Sequence, residues 1–454
     1  VEEKIMHNIT LHPNQTYQTI EGFGASGAWW AQLVGGWPDE TRREILRLLY
    51  SEEGLGMQIY RYNLGGGSKE SGNGHYWCPR RRASDFLAPD GSYDWSRDAE
   101  ALWCMKEAVR LGADEIVFFV NSPPERWTVS GWAQAKIPFR ANLKRKHEAD
   151  FTRYVLDVTE HFLAQGIPIK FVSPINEPFG PWSAKLSGQE GCHYHPRGVR
   201  RLMRLFAQEI TNRPALQNVL LSGTENNDLR LFNKTYTRAI MNDKTIRSKL
   251  DGLDIHGYVF GPLKSLKGKD VKQRFRRWMD KKYPGEPVRM TEWTEMQGGR
   301  DFGMQSALTL ANEVYEDLSI TNVVSWQTWI AVSEYDYSDG LIYIDAEKQT
   351  FDLPKRYYAF GNFTKFVPRG AVRIGISAPE PLQAVAFQCD THIAVILINP
   401  TAQPVQLSLD AQRSDLPAAG ANIYETNEDK NLICREISLT QFAISPRSVN
   451  TIVL

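Results

Sequence analysis

Two glutamates each close a short apolar run in this chain. Glu177 ends Phe171-Val172-Ser173-Pro174-Ile175-Asn176, and Glu292 ends Pro287-Val288-Arg289-Met290-Thr291. A strand that finishes on a carboxylate, rather than on a turn residue, puts an ionisable group at the rim of a sheet. Two such strands can oppose their carboxyl groups across a cleft, which is the minimum equipment for hydrolysing a glycosidic bond. Retention of anomeric configuration needs the two about 5–5.5 Å apart. Glu177 is then expected as acid/base, its pKa raised to hold a proton near neutrality. Glu292 is expected as nucleophile, kept ionised by hydrogen bonds and a nearby cation, for which Arg61 is the candidate.

Other residues at expected strand ends fit around this pair. Asn176 can donate to a sugar hydroxyl beside the scissile bond, or cap the turn that follows. His256 and Tyr258 alternate, so both can face one way, with Tyr258 reaching Glu292; a core histidine with satisfied hydrogen bonds is the rival reading of His256. Trp127, Trp182 and Trp329 each follow a strand and can stack on a sugar face or fill the barrel mouth. Glu225 and Glu295 are further carboxylates within reach, expected to contact substrate or to be structural. Either glutamate of the leading pair, taken alone, reads equally well as a salt-bridged rim residue.

These residues need a scaffold, and the chain alternates short apolar runs with longer amphipathic ones. Strands are expected over 20–25, 58–64, 115–121, 169–176, 219–224, 253–258, 288–292 and 323–328. Each precedes a helical pattern, over 39–50, 99–111, 148–165, 197–211, 229–241, 271–282, 304–317 and 356–366. Phe151, Tyr154, Val155, Val158 and Phe162 mark the third helix by three- and four-residue steps. Eight βα repeats with near-continuous apolar strands predict a parallel sheet closed as a (β/α)8 TIM barrel, with functional groups at the C-terminal ends of its strands. A doubly wound open sheet is the alternative, but no GxGxxG follows the first strand. Asn63-Leu64-Gly65-Gly66-Gly67-Ser68 lacks the Lys-Ser/Thr ending of a phosphate loop and reads as a tight loop beside the cleft.

Beyond Gly370 the pattern turns to short strands, over 372–376, 382–388, 393–398, 405–409, 422–425, 441–444 and 449–454. They predict an antiparallel β-sandwich, to which 9–11 can add an N-terminal strand. The expected division is therefore a barrel over 19–366 and a side domain from 1–18 plus 367–454.

Composition narrows the partners. Lys+Arg and Asp+Glu both number 53 in 454 residues, which gives no case for nucleic acid or a membrane surface and suits a neutral saccharide. No apolar run approaches the ~20 residues of a membrane span. Five scattered cysteines argue against a disulfide framework, and no ligand spacing calls for a metal: Cys192, His193 and His195 lack a fourth partner. No cofactor is expected. Asn8, Asn14, Asn233 and Asn362 open glycosylation sequons. Val1–Met6 has no signal-peptide character, so the location stays open between the cytoplasm and secretion after processing.

With these residues assembled, the chain resembles glycoside hydrolase family 30. The likeness runs through Glu21-Gly22-Phe23-Gly24-Ala25-Ser26 with Trp29-Trp30, Tyr60-Arg61-Tyr62-Asn63-Leu64-Gly65-Gly66-Gly67, Asn121-Ser122-Pro123-Pro124, Ser173-Pro174-Ile175-Asn176-Glu177-Pro178, Gln189-Glu190-Gly191-Cys192 and Asp339-Gly340-Leu341-Ile342-Tyr343. It implies the same roles for Glu177 and Glu292. The double Trp and the Gln-Glu-Gly-Cys segment are most similar to the β-1,6-galactanase branch, which implies galactan side chains of plant arabinogalactan as substrate. Glu125-Arg126-Trp127 and Thr291-Glu292-Trp293-Thr294 depart from the family's usual pattern, which bears on sugar preference. The alternatives are the same mechanism on xylan or β-1,6-glucan, a metal-dependent hydrolase, and a non-catalytic carbohydrate-binding barrel.

Overall fold

The computed structural model describes residues 6–230, 233–258, 268–412 and 420–454. The expected barrel is present. Strands one to four are Gly22–Ser26, Ile59–Asn63, Glu115–Phe119 and Ile169–Ser173; six to eight are Leu253–His256, Val288–Trp293 and Ser325–Thr328. All their neighbouring pairs are parallel, including strand eight with strand one. Nearly every residue in these strands is buried, because helices cover the outside while side chains fill the inside.

Strand five differs from expectation. In place of one run over 219–224 there are two pieces, Leu220–Leu221 beside strand four and Thr224–Asn226 beside strand six. They form the two ends of the strand order, so the sheet closes on itself and the open-sheet alternative falls. The run is interrupted at Ser222 and Gly223, where the Asp254 carboxylate takes the Gly223 N–H at 2.9 Å that a strand neighbour would otherwise use.

The helices follow the periodicity closely. Pro196–Asn212 buries Val199, Leu202, Met203, Phe206, Ala207 and Ile210, begins on the proline that suits a first turn, and stops before Pro214. Glu148–Leu163 ends slightly earlier than its pattern suggests. The helix expected over 229–241 is described as Asn233–Met241, and 231–232 lie outside the described residues, as do 1–5 of the N-terminal segment.

The side domain is a sheet with nine strands among the described residues, folded over as a sandwich. Its N-terminal strand, Met6–Thr19, is longer than expected; it runs antiparallel to Val372–Ser377 and parallel to Val405–Asp410. Ile9 and Leu11 join Ile374, Val395, Leu407 and Ile452 in one core. Ile433–Ile437 was not anticipated: it is an edge strand, exposed over most of its length, so it carries little apolar alternation. The buried Asn362, on the last barrel helix Lys355–Thr364, joins the two bodies. Its amide donates to Tyr424 O at 2.9 Å, and Thr451 Oγ1 donates to Asn362 O at 2.6 Å. This burial, shared by Asn233, keeps both side chains from an enzyme that would glycosylate the folded chain.

Candidate active site

At the C-terminal mouth of the barrel the strand ends bring seven polar groups together. Arg61 lies in strand two, Glu225 in strand five, His256 at the end of strand six and Glu292 in strand seven; Asn176 and Glu177 follow strand four, and Tyr258 lies two residues past strand six. Arg61, Glu225 and His256 are wholly buried, Glu292 is 4 % exposed and Glu177 7 %. Charges withdrawn so far from water must be paired.

Arg61 provides much of that pairing. Its Nη1 donates to Glu292 Oε2 at 3.2 Å and its Nη2 to Glu225 Oε1 at 3.0 Å. The guanidinium also sits 4.2 Å from the centre of the Phe119 ring. Tyr258 donates its hydroxyl to the other Glu292 oxygen at 3.2 Å. Glu225 accepts from the Ser173 hydroxyl as well. His256 lies between the acids: Nδ1 is 2.8 Å from Glu177 Oε1 and 3.6 Å from Glu292 Oε1, while Nε2 is 4.0 Å from Glu225 Oε1.

These contacts order the protonation states. Burial pushes the His256 imidazole down, but Glu292, Glu177 and Glu225 outweigh it and hold it up at about 10, so the ring is an imidazolium that donates to Glu177. Burial likewise opposes ionisation of Glu225, yet Arg61 and His256 bring it down to about 2. Glu292 goes the other way: burial pushes it up to about 7, with the charge of Glu177 adding and His256 and Arg61 opposing.

The spacing decides what the pair can do. One oxygen of Glu177, one of Glu292 and a ring nitrogen of His256 all lie within 4.8 Å of one another. That approach suits direct attack by one carboxylate on a sugar held by the other, and is shorter than the roughly 6.5–9.5 Å at which an inverting pair holds a sugar and its attacking water together. The same three atoms match a metal-ligand count. Arg61 and the His256 imidazolium already supply the positive charge that a metal would bring, and a cation there would meet both.

Backbone geometry supports the reading of a built site. Glu177 and Glu225 both have φ of 45°, in the left-handed region that costs a residue with a side chain, and the Glu177 N–H donates to Glu225 O at 3.0 Å. Asn176 belongs to a row of amides: its Nδ2 donates to Asn121 Oδ1 at 3.0 Å, and Asn121 Nδ2 to Asn63 Oδ1 at 3.3 Å. The Asn176 Oδ1 and Asn63 Nδ2 atoms are buried without a protein partner.

Three of the expected residues are placed differently from the cluster. Trp182 donates its indole N–H to Glu177 O at 2.8 Å, and its ring lies flat where side chains on Gly180 and Gly191 would otherwise stand. Trp127 packs on Tyr154 and His147, away from the carboxylates. Glu295 is paired with Arg356 and Ser306 rather than with the acids. Trp329 does reach the mouth, edge-on to Trp29 and Phe119 at 5.5 and 6.0 Å. Sequence reasoning missed Asn63, Asn121 and Ser173 as members of the cluster. The first two follow the strand-end rule that located Asn176, and that rule could have found them.

The fold and this strand-end arrangement are those of a glycosidase, and comparison with known proteins makes the assignment definite. The model of O-glycosyl hydrolase family 30 matches residues 6–243 and 291–343. An endo-β-1,6-galactanase of Hypocrea rufa is 23 % identical over 444 residues, covering 91 % of this chain and 85 % of its own. Among solved structures, a conserved exported protein from Bacteroides fragilis superposes with a TM-score of 0.87 at 24 % identity, covering 98 % of this chain and 100 % of its own. The catalytic domain of the family 30 xylanase C from Talaromyces cellulolyticus gives 0.75 at 19 %, covering 98 % and 99 %. The chain belongs to O-glycosyl hydrolase family 30 and is a glycoside hydrolase with a carbohydrate substrate.

Proposed function

We propose that the protein is a retaining β-glycosidase that hydrolyses β-1,6-linked galactosyl residues of plant galactan side chains, with Glu292 as nucleophile and Glu177 as acid/base. The observation that carries this reading is the close opposition of Glu177 and Glu292 in a site whose other charges balance. Arg61 and His256 contribute two positive charges and Glu225 one negative, so neutrality leaves one negative charge and one proton for the pair. Double displacement starts from that state. The glycosidic oxygen is a hydrogen-bond acceptor, so a bound sugar favours the form with the proton on Glu177. Arg61 and Tyr258, both donors to Glu292, stabilise the ionised nucleophile. Glu292 attacks the anomeric carbon as Glu177 protonates the departing oxygen; Glu177 then takes a proton from the water that releases the sugar.

Asn176 presents its unpaired Oδ1 to a sugar hydroxyl, and Trp329 offers an aromatic floor. Trp182 acts on the backbone of Glu177 rather than as a stacking face. The barrel of 19–366 carries the chemistry, and 1–18 with 367–454 form the side domain. The galactan assignment draws on the Hypocrea rufa relative, whose name specifies that linkage.

A substrate panel tests it. The protein, with and without EDTA, is incubated with β-1,6-galactan, xylan and β-1,6-glucan, and the released sugars are identified. Galactooligosaccharides or galactose are expected, unaffected by EDTA. Intact galactan beside degraded xylan would sink the substrate assignment, and loss of activity in EDTA would count against two-carboxylate chemistry.

The pH dependence follows from the shared proton. A raised pKa means that the folded site keeps its proton to higher pH, and the chemistry needs one proton on the pair. With Glu292 brought from 4.5 to about 7, kcat/KM should fall as pH rises through about 7. A profile flat well into the alkaline range would contradict the shared-proton account.

A further inference from the structure

The loops over 68–98 and 182–195, after strands two and four, bound one side of the barrel mouth, and two buried side chains knit them together. Glu190 accepts the N–H of Gly66 at 2.9 Å together with the Ser68 hydroxyl. Gln134, from the loop after strand three, donates to His75 O, Ser187 O and Gln189 O at 2.9–3.0 Å. Trp77 then lies on Gly188, where a Cβ would stand 2.2 Å from the indole. The other flank is tied as firmly. Arg80 Nε donates to Glu334 Oε1 at 2.8 Å, and the Arg81 guanidinium sits 4.4 Å from the Tyr335 ring and 5.6 Å from Trp29.

Residues 77–81 therefore touch the loops after strands one, four and eight, and with the Gln134 bonds the wall spans strands eight, one, two, three and four. It also stands close to the floor. From Trp329 to Trp29 is one ring-to-ring step of 5.5 Å, and from Trp29 to Arg81 another of 5.6 Å. Trp29 thus joins the wall to the floor by direct side-chain contact. Trp77 crowns the wall, 74 % exposed despite its size.

We propose that this wall blocks one end of the sugar-binding cleft, so that the protein cleaves at chain ends and releases short products. The inference rests on the reading above, in which Glu177, Glu292 and Trp329 mark the reacting sugar. A polysaccharide that meets a wall beside the reacting sugar cannot lie across the mouth. It must present an end.

The test follows the earliest products. Long β-1,6-galactan is digested by the intact protein, with product sizes read by chromatography and chain length by viscosity. Mono- and disaccharides should dominate from the first time points while viscosity falls slowly. An early ladder of long oligosaccharides with rapid viscosity loss overturns the proposal. If galactan stays intact and xylan or β-1,6-glucan is cut, the substrate reading has failed, and the product profile is read on that glycan instead. Trp77→Ala and Arg80→Ala, both exposed and outside the carboxylate cluster, should raise the share of longer products several-fold. Product lengths unchanged in both folded variants would show that the wall does not set the cut.

Discussion

Glu292→Ala should lower kcat by about 10⁴-fold or more, because the covalent half of the reaction loses its nucleophile. The variant also offers a stereochemical readout. With an activated β-glycoside and added azide, the small anion enters from the face that Glu292 vacated and gives the α-configured glycosyl azide. The cavity left behind keeps Arg61 and Tyr258, both donors, which favour an anion there. Wild-type-like turnover would rule out the role assigned to Glu292, and so would a β-azide.

Glu177→Ala should divide substrates by leaving group. On the natural glycoside, whose departing oxygen needs a proton, kcat should fall by about 10³–10⁴-fold. An activated aryl glycoside needs no such help to leave, so the glycosyl-enzyme still forms and its hydrolysis becomes the slow step. Azide then bypasses the missing base and yields the β-configured azide by two inversions. Loss of both substrate classes to the same degree would make Glu177 a structural residue. Removing it also leaves the His256 imidazolium short of its 2.8 Å partner, so the variant's folding should be verified by thermal denaturation alongside.

The barrel was legible because each of its strands is buried on both faces and reads as an apolar run. Strand five was the exception. Its middle holds Ser222, Gly223 and Thr224, and the Asp254 carboxylate that takes a backbone bond there comes from another strand. The strand-end rule located Glu177, Glu292, Arg61, Glu225, His256 and Tyr258, because parallel strands in a closed barrel deliver their C-terminal residues to one mouth. Aromatic residues in the loops were harder. Trp127 and Trp182 follow strands as Trp329 does, but their neighbours are His147 and Tyr154 in one case and Gly180 and Gly191 in the other. Those neighbours are set by loop paths that no periodicity encodes. The wall of Trp77–Arg81 is hidden for the same reason, since Gly188 and Glu334 reach it from distant segments.

The N-terminal strand has a consequence for how the chain is made. Asn8 and Ser408, hydrogen-bonded at 3.0 Å across neighbouring strands, are 400 residues apart. At about 5–20 residues per second of synthesis, the first strand waits tens of seconds for that partner. Until Val372–Ser377 and Val405–Asp410 are made, Met6–Thr19 lacks both of its sheet neighbours, and Ile9 and Leu11 lack the core they share with them. The barrel can mature in the interval, but the side sheet cannot close until the last strands emerge. Synthesis, rather than the finished fold, is the stage at which this strand edge is open to wrong partners.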